Sequence, residues 1–222
     1  MNESLFILHI AIVVSFGFWA LRLGKAALMG WVALQVVLAN LFALKQIGFF
    51  GFHVVCSDVF TVGSVLGLNL LREYFGKESA KKALWISFFT MVFFVVMSQI
   101  HLLYQPSPLD TTQTAYQAIL APSPRLLVAS LGVFLLVQQI ELRLFGYLKQ
   151  KWDGVPLILR NGVSITTTQL IDTILFSFLG LWGLVGHLFD VILISFQVKL
   201  LLIAMMSPLI HFSKRFVPKE GL

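Results

Sequence analysis

The stretch from Asp190 to Ile210 reads DVILISFQVKLLLIAMMSPLI, and Lys199 stands near its centre with apolar residues on both sides. Its length matches the roughly 20 residues that a helix needs to cross a bilayer. A lysine at that depth costs about 2.5–3.5 kcal/mol on insertion scales, and its side chain is too short to reach the headgroups. The stretch therefore predicts a membrane-spanning helix whose ammonium meets a carboxylate or a wet cavity inside a helix bundle.

The rest of the chain has the same apolar character. It is 58% hydrophobic and 12% charged, whereas soluble domains carry about 25% charged residues. We expect residues 1–222 to form a single integral-membrane domain, an all-α polytopic helix bundle. Seven apolar segments are near spanning length: 5–21, 26–44, 49–71, 83–103, 125–145, 163–183 and 188–210.

Lysine and arginine alternate between the connections of these segments. The connections after segments one, three and five and the C-terminal tail are basic, whereas the intervening connections hold only Lys45, with Arg125 at the start of segment five. The positive-inside rule then places the N-terminus outside and the C-terminus in the cytoplasm. Because the positive residues adjoin apolar segments, the net charge of +6 indicates membrane topology and not nucleic-acid binding.

The first two segments are joined very tightly. We therefore expect a six-helix core at residues 25–214 and an extra N-terminal helix at residues 1–24. Segments three and six each carry an acid, Asp58 and Asp172, at a similar distance from their start, followed by an apolar run with glycine. Since the two segments run in opposite directions, this echo favours a 3+3 inverted repeat of segments two to four and five to seven.

Asp172 is the expected partner of Lys199, because it lies near the middle of the preceding segment and so at matching depth. One interpretation is a structural ion pair that holds two helices together. The other is a pair that lines a substrate or proton site, since ionisable groups inside membranes mark such sites. Gln169 lies three residues before Asp172 and shares its helical face, where its amide can hydrogen-bond a polar solute or a neighbouring helix.

Other polar residues within the segments are weaker candidates. Asn40 is the strong polar group near the outer end of segment two, and Gln138 lies on segment five. Asp58, Asn69 and Glu73 follow nearly one stripe of segment three. Glu73 has a simpler explanation as a surface ion-pair partner, because basic residues surround it.

Signals for an enzyme are missing from the sequence. It has no HExxH or GxSxG motif and no glycine-rich phosphate loop. The five histidines are scattered and the one cysteine has no metal-binding partner pattern. We expect neither catalysis, nor a metal site, nor a cofactor.

Several longer motifs resemble those of the YhhQ/VUT family of queuosine-precursor transporters. The resemblance runs from about Lys25 to Lys214. Taken together the motifs are fairly specific. As they stand here, they are ANLFALKQI, DVFTVGSVLGLNLLREYFGKESAKK, SPRLLVASLGVFLLVQQIE, SITTTQLIDT and DVILISFQVK.

The resemblance implies a transporter that imports a 7-deazaguanine base, preQ0, preQ1 or queuine, for queuosine modification of tRNA. Many family members carry Asp at the position of Asn69, which is a departure of this chain from the family pattern. The implied small-molecule partner is a deazapurine base in a lipid bilayer, and a homodimer is left open. The positions carried over from the family are Asn40, Glu73, Arg125, Gln138, Asp172 and Lys199.

The chemistry of such a base fits the acids and the lysine. Its guanidine-like N–H edge would be accepted in paired hydrogen bonds by Asp172 or Asp58, and its carbonyl would accept from Lys199, Gln138 or Gln169. Two other functions are alternatives. One is a substrate-binding subunit of an ATPase-powered vitamin uptake complex, docking through small residues such as Ala39 and Ala43. The other is an intramembrane enzyme or assembly factor.

Overall fold

A computed structural model of the protein describes residues 1–151 and 157–216. This part of the chain is helical almost throughout, so the prediction of an all-α polytopic bundle is confirmed. The elements are α1 (Asn2–Arg22), α2 (Lys25–Leu41), β1 (Gln46–Phe49), β2 (Phe52–Val55), α3 (Asp58–Phe75), α4 (Lys77–Leu102), α5 (Gln113–Leu120), α6 (Ser123–Lys151), α7 (Leu157–Phe176) with a π-helical turn (Ser177–Leu181), α8 (Leu188–Ser213) and a terminal 3₁₀ turn (Lys214–Phe216).

Five helical stretches among the described residues are long and apolar enough to cross a membrane. The shorter apolar helix α2 lies between the first two of them. Helix α3 is 18 residues long and carries the charged residues Asp58, Arg72 and Glu73. The five stretches are Asn2–Arg22, Lys77–Leu102, Gln113–Val137, Val163–Leu181 and Leu188–Met205.

The third apolar segment is not one helix, and this part of the sequence prediction is wrong. Its first residues belong to an antiparallel hairpin, β1–β2, in which Gln46 pairs with Val55. The two-residue turn has positive φ at both positions, +47° at Phe50 and +85° at Gly51, as a tight hairpin turn requires. A short run of aromatic and β-branched residues has no helical period, so hydropathy alone could not distinguish the two structures.

The hairpin spans one end of the bundle, which we call the hairpin end, and is tied to α1 and to the start of α8. Three hydrogen bonds join it to these helices: Asn2 Nδ2 to Gly48 O at 2.8 Å, Phe50 N to Glu3 Oε1 at 3.1 Å, and His53 N to Asp190 Oδ2 at 3.0 Å. A fourth, Gly186 N to Gln46 Oε1 at 3.1 Å, joins it to the connection before α8. The rings of His53 and His187 also stack, with centroids 4.3 Å apart. These contacts close the bundle at this end.

The main apolar core is shared by α1, α2, α3 and α4. Its fully buried members include Leu21 of α1, Leu28 of α2 and Leu70 of α3. The first helix therefore packs into this core and not beside it. Helix α6 packs on α7, and α7 and α3 both pack on α8, which brings the two parts of the chain together.

One of the sequence features that favoured an inverted repeat is not found in the structure. Asp58 is the first residue of α3, whereas Asp172 follows fifteen residues of α7. The two acids therefore do not lie at similar positions within their helices, because the hairpin replaces the first turns of segment three. The repeat itself stays a prediction.

The contact between α2 and α3 depends on glycine. A Cβ atom at Gly67 would collide with Cγ2 of Val32 and lie 3.1 Å from the Trp31 ring. Because Val32 is β-branched and fully buried, its side chain cannot turn away easily. The two helix backbones can approach closely only while residue 67 has no side chain.

We expect Gly67→Ala to destabilise the protein by about 1–3 kcal/mol, since overpacking a tight contact costs this much. The measurement is the Tm of the detergent-solubilised protein. Gly132→Ala in α6 is the matched control, because a Cβ there meets nothing within 4 Å and alanine favours helix. Equal Tm values for the two variants would contradict this account of the contact.

The predicted orientation can be tested with single cysteines. In a Cys56→Ser background we expect Ser107→Cys, in the exposed α4–α5 connection, to react with a membrane-impermeant maleimide added to intact cells. Lys81→Cys, exposed at the other end of α4, should react only after the membrane is permeabilised. The reverse pattern would mean that the chain is inserted with its N-terminus inside.

Candidate functional site

Lys199 and Asp172 form the ion pair that their depth predicts. Nζ of Lys199 lies 2.6 Å from Oδ2 of Asp172, and the side chains are 15% and 29% exposed. Lys199 follows Leu188, the first residue of α8, by eleven positions, which is about 16 Å along a helix. Lys199 is therefore far from either end of α8, and Asp172 lies nine residues before the end of the π-helical turn that continues α7, so each charge depends on the other for compensation.

A hydroxyl of α7 is the second hydrogen-bond partner of the ammonium. Nζ of Lys199 also donates to Oγ1 of Thr173 at 3.0 Å. The Thr173 hydroxyl in turn donates to the backbone carbonyl of Gln169 at 2.8 Å, which fixes its lone pairs toward the lysine. The lysine thus has two partners on neighbouring positions of α7, and one of its three N–H donors remains for another acceptor.

The second carboxylate of the site is Asp58. It is buried, 9% exposed, and its Oδ2 accepts from Oγ of Ser195 at 2.6 Å. Ser195 precedes Lys199 by four residues, so the two lie one turn apart on the same face of α8. Helices α3, α7 and α8 therefore meet along one polar line, which we call the polar line of α8: Asp58, Ser195, Lys199, Thr173 and Asp172.

Two of the predicted site residues lie on α3 beyond this line. Asn69 is half-buried, and its amide donates to the Val65 carbonyl of its own helix at 2.9 Å. Glu73 is exposed at the far end of α3, where a carboxylate is readily solvated. No described contact brings either residue to the ion pair.

The remaining predicted residues lie on three other helices. Asn40, at the end of α2, is buried, and its Oδ1 has no hydrogen-bond partner among the described residues. Arg125 is exposed at the start of α6 and donates from Nε to the Leu179 carbonyl at 2.9 Å, so it binds the π-helical turn. Gln169 is half-buried on α7. The side chain of Gln138 lies outside the described part of the structure.

Three polar residues of interest were not among the sequence candidates. Thr173 and Ser195 contact the charged groups directly, and the spacing of Ser195 from Lys199 was a signal for it. Gln35 on α2 is 4% exposed, and its Oε1 has no partner among the described side chains. A Cβ atom on residue 63 would lie 2.6 Å from that oxygen. The position of the Gln35 side chain therefore requires glycine at residue 63.

The polar line can bind a solute that offers both donors and acceptors. A carboxylate accepts two parallel N–H bonds from an amidine-like or guanidine-like edge, and an ammonium donates to a carbonyl oxygen. No group of three or more His, Cys, Asp or Glu side chains suited to a metal ion occurs in the described ranges. The arrangement therefore suits a polar organic solute.

Comparison with known proteins shows that the chain is a transporter. Residues 57–213 match the model of the family described as "Putative vitamin uptake transporter", which covers more than half of the chain, so the chain belongs to this family. It is 29% identical to the "Probable queuosine precursor transporter" of Bacillus subtilis (strain 168), over 96% of this chain and 93% of that protein. No solved structure matches the chain. The protein is a multi-pass membrane transporter and not an enzyme.

The energetic coupling of the pair is testable with a double-mutant cycle. We expect Lys199→Met and Asp172→Asn each to lower stability, because each leaves a polar group at membrane depth without its partner. The double variant should lose less than the sum, with a coupling of about 0.5–3 kcal/mol. Thermal denaturation in detergent measures all four proteins, and strictly additive losses would contradict a direct interaction.

Proposed function

We propose that this member of the family imports a queuosine precursor, a 7-deazaguanine base, across the bacterial inner membrane into the cytoplasm. The name of the similar Bacillus subtilis protein supports the substrate class, and so does the resemblance of the motifs. The family match supports uptake. The base would then serve the queuosine modification of tRNA.

The observation that carries the proposal is the Lys199–Asp172 pair between α7 and α8 at membrane depth. A 7-deazaguanine has a guanidine-like N–H edge that Asp172 can accept and a carbonyl oxygen to which Lys199 can donate. A bound base would thus take the place of Lys199 beside Asp172, and the place of Asp172 beside Lys199. This exchange avoids leaving either charge without compensation, which would be costly in the membrane.

The two ends of the bundle differ in structure. The hairpin and its hydrogen bonds to α1 and α8 cover the hairpin end, which the positive-inside pattern places outside. Near the other end, an open cleft of about 830 Å³ lies along the last turns of α8 and the terminal turn, from Met205 to Arg215. Pro208 lines this cleft and interrupts the hydrogen bonding of α8, as an internal proline does. The hairpin is suited to act as the outer closure in an alternating-access cycle.

Transport by this chain alone is favoured over a role as the binding subunit of an ATPase-powered complex. The small residues suggested for docking to such a partner are Ala39 and Ala43. Ala43 is 4% exposed and packs with Val55, Leu126 and Val191 inside the protein, so it does not form a free docking face. Uptake by the purified chain in proteoliposomes without an ATPase would distinguish the two functions.

The function can be tested in cells that cannot synthesise the queuosine precursor. We expect this protein to restore queuosine in tRNA when preQ0, preQ1 or queuine is supplied separately, with at least one of the three effective. Asp172→Asn and Lys199→Met should abolish or strongly reduce the rescue at equal membrane abundance. Asp110→Asn and Lys82→Met are matched controls, because these residues are exposed and far along the chain from the pair. Rescue by none of the three bases would refute the proposal.

A further inference from the structure

The polar line of α8 contains one more acid than base. Asp58 and Asp172 are both joined to α8, but Lys199 is the one basic side chain that the described contacts bring to them. Lys199 is 2.6 Å from Asp172, whereas Asp58 has a neutral hydroxyl as its hydrogen-bond partner. With both acids ionised, the site would hold an excess negative charge at membrane depth, which is costly.

The other titratable groups near Asp58 do not supply the missing positive charge by direct contact. From α8, Ser195 donates to Asp58, and Lys199 bonds to Asp172. The other titratable groups at this end of the bundle have no described hydrogen bond or ion pair to Asp58. They are His9 of α1, whose ring packs on Phe60, Cys56 and Lys45 at the base of the hairpin, and Asp190 of α8, which accepts from the backbone of His53.

We propose that Asp58 binds a proton that is cotransported with the base. This inference rests on the proposed function and adds its driving force. A proton is the smallest cation that balances the second carboxylate, and the buried position of Asp58 leaves little room for a hydrated ion. The described residues also contain no cluster of three or more ligands for a metal ion.

The geometry favours symport over exchange. The base is assigned to Asp172 and Lys199, and the proton to Asp58, so the two loads occupy separate carboxylates. Both can therefore be bound at once, whereas competition for one carboxylate would make the loads exchange for each other. Ser195 and Lys199 lie one turn apart on α8, which places the two sites on a single helix face that moves as a unit.

The proton step involves one bond. A proton from the outer water adds to a carboxylate oxygen of Asp58 and forms an O–H bond, which removes the negative charge. In the ionised state the Ser195 hydroxyl donates to Asp58 across 2.6 Å. In the protonated state the new O–H can donate to Oγ of Ser195, so the hydrogen bond persists with its direction reversed. The proton leaves to water at the cytoplasmic side after the base has been released.

The first test uses the wild-type protein in proteoliposomes with radiolabelled preQ1, queuine or preQ0, whichever is transported. We expect an acidic exterior to drive accumulation, approaching about tenfold per pH unit for one proton per base, since each pH unit is a tenfold ratio. Collapsing the gradient with a protonophore should return uptake to equilibration. Adding base without a gradient should acidify the lumen, as read by a trapped pH dye.

The outcomes separate the two proposals. Absence of uptake of all three bases under every gradient would refute the proposed function. Uptake that equilibrates without any response to the pH gradient, and without lumenal acidification, would overturn the proton inference while leaving the function intact. Accumulation driven by sodium in place of protons would overturn it as well.

The second test locates the proton. We expect Asp58→Asn to remove the stimulation of uptake by the pH gradient. The ratio of uptake with the gradient to uptake without it should then be near one for this variant. Asp58→Glu keeps a titratable group and should retain stimulation with a displaced pH midpoint. Stimulation of Asp58→Asn equal to that of wild type would overturn the assignment. If Asp58→Asn does not transport, the pH profile of Asp58→Glu decides, because a profile identical to wild type would also overturn it.

Discussion

A lysine and an aspartate compensate each other at membrane depth, and the architecture around them depends on this contact. Without it, Lys199 would place an ammonium about 16 Å from the start of α8 in a medium that cannot solvate it. The pair fixes α7 against α8 at a defined height. Under the proposed function, it also makes the centre of the bundle a place where a polar solute can take the position of an internal partner.

In the proposed transport cycle, the hairpin and the core of α1 to α4 would have different parts. The hairpin is held to α1 through Glu3 and to α8 through Asp190, so a few exposed hydrogen bonds keep it in place. Such contacts contribute individually little, and they can break during a transport cycle. The buried apolar core of α1 to α4 is a larger and drier contact, and it is suited to move as one body against the helices α6 to α8.

The sequence was sufficient for the helical class and for the Lys199–Asp172 contact. Both depend on the cost of polar groups in the bilayer, which constrains a membrane protein more strongly than local propensity does. The hairpin could not be predicted in this way, because its apolar residues satisfy a hydropathy window as well as a helix does. The positive φ values at Phe50 and Gly51 belong to a two-residue turn, which can be recognised only once the pairing of the two strands is known. Thr173 and Ser195 were missed since hydroxyls within apolar helices commonly bond to their own backbone.

The central claim is that the base replaces each partner of the Lys199–Asp172 pair. An experimental structure of the protein with a bound 7-deazaguanine base measures this directly. The account predicts the N–H edge of the base on Asp172, its carbonyl near Lys199, and a separation of Nζ and Oδ2 well beyond the present 2.6 Å. A base bound elsewhere, with the pair still in contact, would contradict it.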